Sequence, residues 1–299
     1  MRIAIIHNPR SGGGSAAGKL PYITQMLKKT GIRFDLFHTR YHRGAIQLAA
    51  DLKIEQYQAV VVAGGDGTNF QTINGLLQSF EPVWIPPLGI LPIGSGNSFA
   101  KDLGIQCIED GLKTIIKYAD GSTPKPVDVL SFQNGNNVTY FINLLGLGFV
   151  TDVAITAQRF KKLRSLSYII GVIYQTFKLN THMIRLDIDG TLIEEKNCFV
   201  EFCNSRYTGG DMLMAPNARI DDGLMDVVIA KPLSRIDLLR ALPKIFSGTH
   251  INDPHVSYVQ AKRCRISCSP AKRLLPDGEL MGITPALIDV HPKLLTYLT

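Results

Sequence analysis

Two glycine-rich segments, each following a run of apolar residues, hold the residue types from which a phosphate-binding rim is built. Gly64-Gly65-Asp66-Gly67-Thr68 follows Ala59-Val60-Val61-Val62-Ala63, and Gly94-Ser95-Gly96-Asn97-Ser98 follows Leu91-Pro92-Ile93. Glycine lets backbone N–H groups approach an anion closely, while Asp66 and Thr68 can hold a metal, a hydroxyl or a phosphate oxygen at the rim. Ser95, Asn97 and the Gly94 and Gly96 amides add further donors. Either loop alone reads more readily as a tight strand-to-helix turn with a capping side chain. As a pair on one rim they describe a triphosphate cradle. A distant turn, Leu275-Pro276-Asp277-Gly278-Glu279, sets two carboxylates around a glycine. Phosphoryl transfer to a hydroxyl requires such a carboxylate, although a plain Asp-Gly hairpin has the same spelling. Asp221-Asp222-Gly223 offers oxygen ligands to a hard cation, or is an acidic turn before a strand at 224–230.

These residues need elements to position them. Apolar runs at 3–7, 33–38, 59–63 and 88–92 read as strands, and amphipathic stretches at 19–29, 44–53, 68–79 and 108–119 read as helices. Strand, loop and helix in repetition predict a mostly parallel sheet covered on both faces, with ligands beyond the carboxyl ends of the strands. Gly121-Ser122-Thr123-Pro124-Lys125-Pro126 reads as a linker. Beyond it short strands alternate with Asn-Gly and Asp-Gly turns at 134–135, 189–190, 222–223 and 277–278, interrupted by helices near 165–179 and 234–246. The expectation is an α/β domain over 1–125, to which 285–299 returns, and a mainly β sandwich over 126–284.

Two further patterns near the amino terminus are decoys. Gly13 to Lys19 matches the G-x-x-x-x-G-K of a P-loop, but Leu20 and Pro21 stand where a magnesium-binding Ser or Thr belongs. Gly12, Gly14 and Ala17 fit a relaxed G-x-G-x-x-A dinucleotide pattern, yet its acid, Asp35, falls within the second strand rather than at its end. The 299 residues carry a net charge of +7, which suits nucleotide phosphates or an acidic membrane surface. No aromatic-basic motif argues for nucleic acid. The five cysteines follow no CxxC spacing and read as reduced thiols of a cytosolic protein, and the seven histidines form no zinc motif. Met1-Arg2 leads straight into a strand, which argues against a signal peptide, and the apolar stretch 168–174 is too short to span a bilayer.

In sum these motifs resemble the bacterial diacylglycerol kinase-like lipid kinases, relatives of sphingosine kinase. The resemblance covers nearly the whole chain. It runs through Asn8-Pro9 and its glycines, Gly64 to Thr68, Asn74-Gly75-Leu76, Leu91 to Asn97, Gly146-Leu147-Gly148-Phe149, Ala215-Pro216 with Asp221 to Leu224, and Pro276 to Glu279. It implies an amino-terminal domain like phosphofructokinase and NAD kinase, a carboxyl-terminal β-sandwich, and a final strand at 286–290 returning to the first domain. It also implies transfer of the γ-phosphate of ATP to the hydroxyl of diacylglycerol, a sphingoid base or a similar lipid. Matching positions set Asn8, Thr39, Gly64, Gly65, Asp66, Gly67, Thr68 and Ser95 around the nucleotide. Glu279 or Asp277 is the implied general base, with Asp66 organising the phosphates and Mg²⁺ or serving as base itself. A structural Mg²⁺ is implied on Asp222 and the carbonyls of Arg219 and Leu224. A cytoplasmic protein touching an anionic membrane is expected, through Arg159-Phe160-Lys161-Lys162-Leu163-Arg164 and the apolar helix after it, with a homodimer left open. The chain departs from the family at Asn69-Phe70-Gln71, where an apolar residue, Asn and Glu are usual. An NAD kinase shares the Gly-Gly-Asp-Gly turn but lacks the 91–97 and 277–279 motifs. Phe70 and Gln71 leave room for a catalytically weak nucleotide- or lipid-binding regulator.

Overall fold

In strands β1 (Arg2–His7), β3 (Ala59–Gly64) and β4 (Leu88–Pro92) almost every residue is buried, as the centre of a parallel sheet covered on both faces demands. The computed structural model describes residues 1–160 and 165–299. The sheet order is β2-β1-β3-β4, all parallel, with the half-exposed β2 (Arg33–His38) at its edge. Ile3, Ile5, Val61 and Leu91 turn to one face, where they meet Ala16, Ile23 and Leu27 of α1 (Ala16–Lys29) and Leu112 and Ile115 of α5 (Ile108–Ala119). Each such aliphatic side chain contributes about 2 kcal/mol by leaving water. α2 (Gly44–Ala50) packs against α3 (Asp66–Ser79) at Gly75, where a Cβ would lie 2.3 Å from the Ile46 carbonyl oxygen. A short α4 (Ser98–Asp102) follows β4. All four strands end on one rim, and their loops are the glycine-bearing segments.

The chain forms two compact units, Met1–Val129 with Pro292–Thr299, and Leu130–His291. It leaves the first unit inside β5 (Lys125–Asn134), a strand that begins within the expected linker. The second unit is mainly β. Its elements are β6 (Asn137–Phe141), β7 (Leu144–Gly148), α6 (Phe149–Arg159), α7 (Ser165–Phe177), β8 (His182–Ile188), β9 (Thr191–Asn197) and β10 (Phe199–Cys203). There follow β11 (Tyr207–Thr208), β12 (Met212–Leu213), β13 (Met225–Ala230), α8 (Arg235–Ser247), β14 (Val256–Ala261), β15 (Arg263–Ser269), β16 (Leu275–Pro276) and β17 (Ala286–Tyr297). One sheet runs β14-β13-β10-β7-β16; the other includes β17-β15-β8-β9, with β5 joined to β17 and β6.

Turn chemistry fixes these registers. Asp189 and Gly190, with φ 49° and 89°, close β8 onto β9, and Asn134 pairs with Asn137 across the β5–β6 turn. α6 has no counterpart in the sequence reading. The final strand is longer than expected: Ala286–Asp289 pairs with β15 in the second unit, while 292–299 belongs to the first. All five cysteines are free, and no described helix is long and apolar enough to cross a membrane. Of the basic run 159–164, Lys161 to Arg164 lie outside the described residues.

One buried acid opposes this packing. Glu201 on β10 is 3% exposed, its Oε2 has no hydrogen-bond partner, and burial pushes its carboxyl up to about 8. The unfolded chain ionises near the ordinary value, so the fold favours the protonated form. Its stabilising contribution is complete below the ordinary range and is lost as pH rises to about 8. In urea titrations wild-type stability should fall by about 1.4 kcal/mol per pH unit across that window, from this group alone. Glu201→Gln should flatten the slope and be the more stable protein at alkaline pH; parallel curves would exonerate the carboxyl.

Candidate active site

The rim of the first unit is built from backbone packed against backbone. A Cβ on Gly94 would lie 2.3 Å from Gly65 Cα, and one on Gly64 would lie 2.5 Å from the Thr68 side chain. No other residue type fits at these two positions without moving the loops. Gly64 O accepts the Ile93 and Gly94 amides at 3.1 and 3.2 Å, which joins the ends of β3 and β4. Asn8 ties in the first loop: its amide donates to Ala63 O at 3.0 Å and its Nδ2 to Thr68 Oγ1 at 3.1 Å. The Thr39 amide donates to His7 O at 2.9 Å. Asn8, Thr39, Gly64, Gly65, Asp66, Gly67, Thr68, Gly94, Ser95 and Asn97 therefore share the carboxyl edge of one sheet.

Two features of this edge suit an anion. Gly12, Gly13 and Gly14 all take left-handed φ values of 59°, 66° and 94°, and a Cβ on Gly13 or Gly14 would meet nothing within 4 Å. Successive amides in such conformations form a concave anion nest. The fourteen-residue α3 begins at Asp66 and points its positive end and unsatisfied first-turn amides at the same rim.

Two of the expected site side chains hold the loops themselves. Asp66 Oδ2 accepts the Ser98 amide at 3.0 Å and Oδ1 the Phe99 amide at 3.2 Å, so the carboxylate clasps the start of α4. Asn97, at φ 54°, closes the second loop on itself: Oδ1 accepts from Gly94 N and Nδ2 donates to Gly94 O, both at 3.1 Å. Ser95 stays exposed. The unusual Asn69-Phe70-Gln71 is buried, with Phe70 2% exposed and Asn69 Oδ1 accepting the Tyr297 hydroxyl at 3.0 Å. Of the decoys, Asp35 is bound to Arg2 at 2.7 Å and accepts the Tyr57 hydroxyl at 2.8 Å. Gly18 and Lys19 lie inside α1 rather than in a loop.

In the second unit the acids of the Leu275 to Glu279 turn have unlike roles. Asp277 Oδ1 accepts the Asn143 and Leu144 amides at 2.9 and 3.1 Å, and Oδ2 the Ile142 amide at 3.1 Å. Its own amide donates to Leu144 O at 2.8 Å, and its left-handed φ of 46° is one that Asp tolerates. Glu279 is half-buried and its carboxylate has no hydrogen bond among the described residues. Sequence reasoning missed the platform beneath this turn. Asn204 Nδ2 donates to Ile142 O at 2.9 Å, Ser205 Oγ to Asn143 Oδ1 at 3.1 Å, and both residues are fully buried. Their only trace in the sequence is a polar pair closing an apolar strand. The Arg219, Asp222 and Leu224 positions fall in one turn, where Asp222 Oδ1 accepts the Leu224 amide at 3.0 Å.

The Asp277 clasp has a measurable cost. Asp277→Ala strands three amides and places Ala at a left-handed φ, so chemical denaturation should show a loss of about 2–4 kcal/mol. Glu279→Gln should lose less than about 0.5 kcal/mol. Equal losses would show that the two acids do not differ in this way.

Comparison with known proteins agrees with this fold. Residues 2–132 match the family model described as the diacylglycerol kinase catalytic domain, and 144–299 match that described as the YegS C-terminal NAD kinase beta sandwich-like domain. A diacylglycerol kinase of Mycobacterium tuberculosis is 31% identical over 300 residues, covering 99% of this chain and 94% of its own. A diacylglycerol kinase of Bacillus subtilis is 29% identical over 286 residues, covering 95% and 91%. The crystal structure of a diacylglycerol kinase from Bacillus anthracis superposes with a TM-score of 0.81 at 26% identity, covering 99% and 96%. The chain belongs to the bacterial diacylglycerol kinase-like lipid kinase family and is a phosphotransferase acting on an alcohol.

Proposed function

We propose that the protein transfers the γ-phosphoryl group of ATP to the hydroxyl of diacylglycerol or a closely similar lipid. The observation that carries the reading is the backbone rim of the first unit, where the close Gly65–Gly94 contact leaves an open edge onto which the left-handed Gly12 and Gly13 and the amino terminus of α3 face, an arrangement that suits a polyanion. Three carboxylates compete for the role of base. Asp66 and Asp277 are committed to backbone amides, which leaves Glu279 to take the acceptor proton. As it does so, the lipid oxygen bonds to the γ-phosphorus, the bond to the bridging oxygen breaks, and ADP departs with that electron pair. Asp66 acts as a positioning residue, holding α3 and α4 in the arrangement that aims the amides.

Mg²⁺, when bound, neutralises the charge that develops on the phosphates. Among the described residues no three His, Cys, Asp or Glu side chains form a metal cage, and a hard cation also takes backbone carbonyl, water and substrate oxygens. Asp222 with the Arg219 and Leu224 carbonyls fits that hard-oxygen chemistry. Peripheral contact with an anionic membrane is supported by exposed Ile173 and Phe177 on α7 and Ile236, Leu239 and Phe246 on α8, interspersed with Lys178, Arg240 and Lys244.

Purified protein offered γ-labelled ATP and mixed micelles of diacylglycerol, a sphingoid base or no lipid, with NAD as an alternative acceptor, tests the reading. Label should enter the diacylglycerol. Label in NAD alone would overturn the assignment. Glu279→Gln should lower kcat by about 10²-fold or more with unchanged melting, whereas Asp66→Asn should lower activity and melting together.

A further inference from the structure

β1 and β2 both end on histidine, and the parallel register sets His7 beside His38. Their Nδ1 atoms are 2.9 Å apart and the rings meet edge to face, centroids 5.1 Å apart. Two ring nitrogens this close share a single proton, so one ring donates and the other accepts. The residues that follow are Asn8 and Thr39, whose amides are pinned on the phosphate rim.

The two rings are not equivalent. His7 is 1% exposed, and burial, aided by His38 and outweighing the Ala16 backbone, holds its imidazole below the ordinary value. His38 is exposed and has no carboxylate partner among the described residues. His38 is therefore the ring of the pair that can face an incoming ligand, with His7 behind it.

Among the described residues no carboxylate of the first unit is bonded to either ring. The neighbouring β3 strand holds no titratable residue, and α2 none either. α1 brings Lys19 as its first charged group, and the flanking loops bring Arg10, Arg40, His42 and Arg43. The acids of the surrounding elements are engaged: Asp35 with Arg2 and Tyr57, and Asp66 with the α4 amides. An imidazolium at a rim of amides and cations is satisfied by an external anion.

We propose that His38, oriented by His7, is a phosphate contact for the nucleotide, and that proton uptake by the pair tightens nucleotide binding. The inference rests on the ATP reading above and adds a residue to it. His7 is a positioning residue, because its Nδ1 turns the His38 ring and fixes which nitrogen carries the proton.

Binding of magnesium ADP and magnesium ATP without lipid should be measured by calorimetry between about pH 6 and pH 8.5. Comparing wild type with each variant at each pH cancels the titration of the nucleotide. His38→Gln should weaken ATP binding about tenfold at the acid end and hardly at all at the alkaline end. His38→Lys should bind as tightly as acidic wild type at every pH. His7→Gln should weaken binding and shift the pH profile. Coincident wild-type and His38→Gln affinities throughout would overturn the inference and leave the ATP reading standing. Wild-type protein that binds neither nucleotide at any pH would overturn both.

Discussion

Everything at the rim depends on two glycines whose backbones touch. Gly65 and Gly94 belong to different strand-to-helix loops, and a methyl group on Gly94 would sit 2.3 Å from its neighbour's Cα. Because the loops close to that distance, Asp66 can reach across to the first amides of α4, and α3 starts with its unsatisfied amides facing outward. Separating the loops by the width of one methyl would cost the clasp and the aim together. The glycines are thus required by packing as much as by any ligand, which is why their conformations are not all left-handed: Gly64, Gly65 and Gly94 have ordinary φ values and lack only room.

A shared consequence is that carboxylates spelled alike behave unlike. Asp66 and Asp277 each organise a loop by accepting amides from residues more than thirty positions away, and Glu279, two residues from one of them, accepts none. A single chain gives no hint of this. Backbone amides are donors whatever their side chain, so the partners Ile142, Asn143 and Leu144 are silent in the sequence. The same holds for His7 and His38, whose meeting depends on a parallel register that no local pattern records.

What the sequence made legible were features with a local physical cause. The apolar runs of β1, β3 and β4, the Asp189-Gly190 hairpin and the glycine loops are each determined by neighbours a few residues away. α6 was not legible. It follows Gly148, whose φ of 82° turns the chain from strand to helix, and its first residues, Phe149 and Val150, continue the apolar texture of β7. The reach of β17 was obscured by Pro292, which removes one backbone donor yet is tolerated within the strand. The departure at Asn69-Phe70-Gln71 is a packing matter, since Asn69 answers the Tyr297 hydroxyl and Phe70 lies in the core.

That last bond has a bearing on how the protein is made. Tyr297 is fully buried, meets Phe99 edge to face with centroids 5.0 Å apart and belongs to the unit that begins at residue 1. On the ribosome the loops of the first 129 residues emerge early, but Tyr297, against which Asn69 and Phe99 close, arrives only after the whole of the second unit. Translation order therefore delays completion of the first unit until the second is already in the cell, exposing its unfinished core for the longest interval of synthesis.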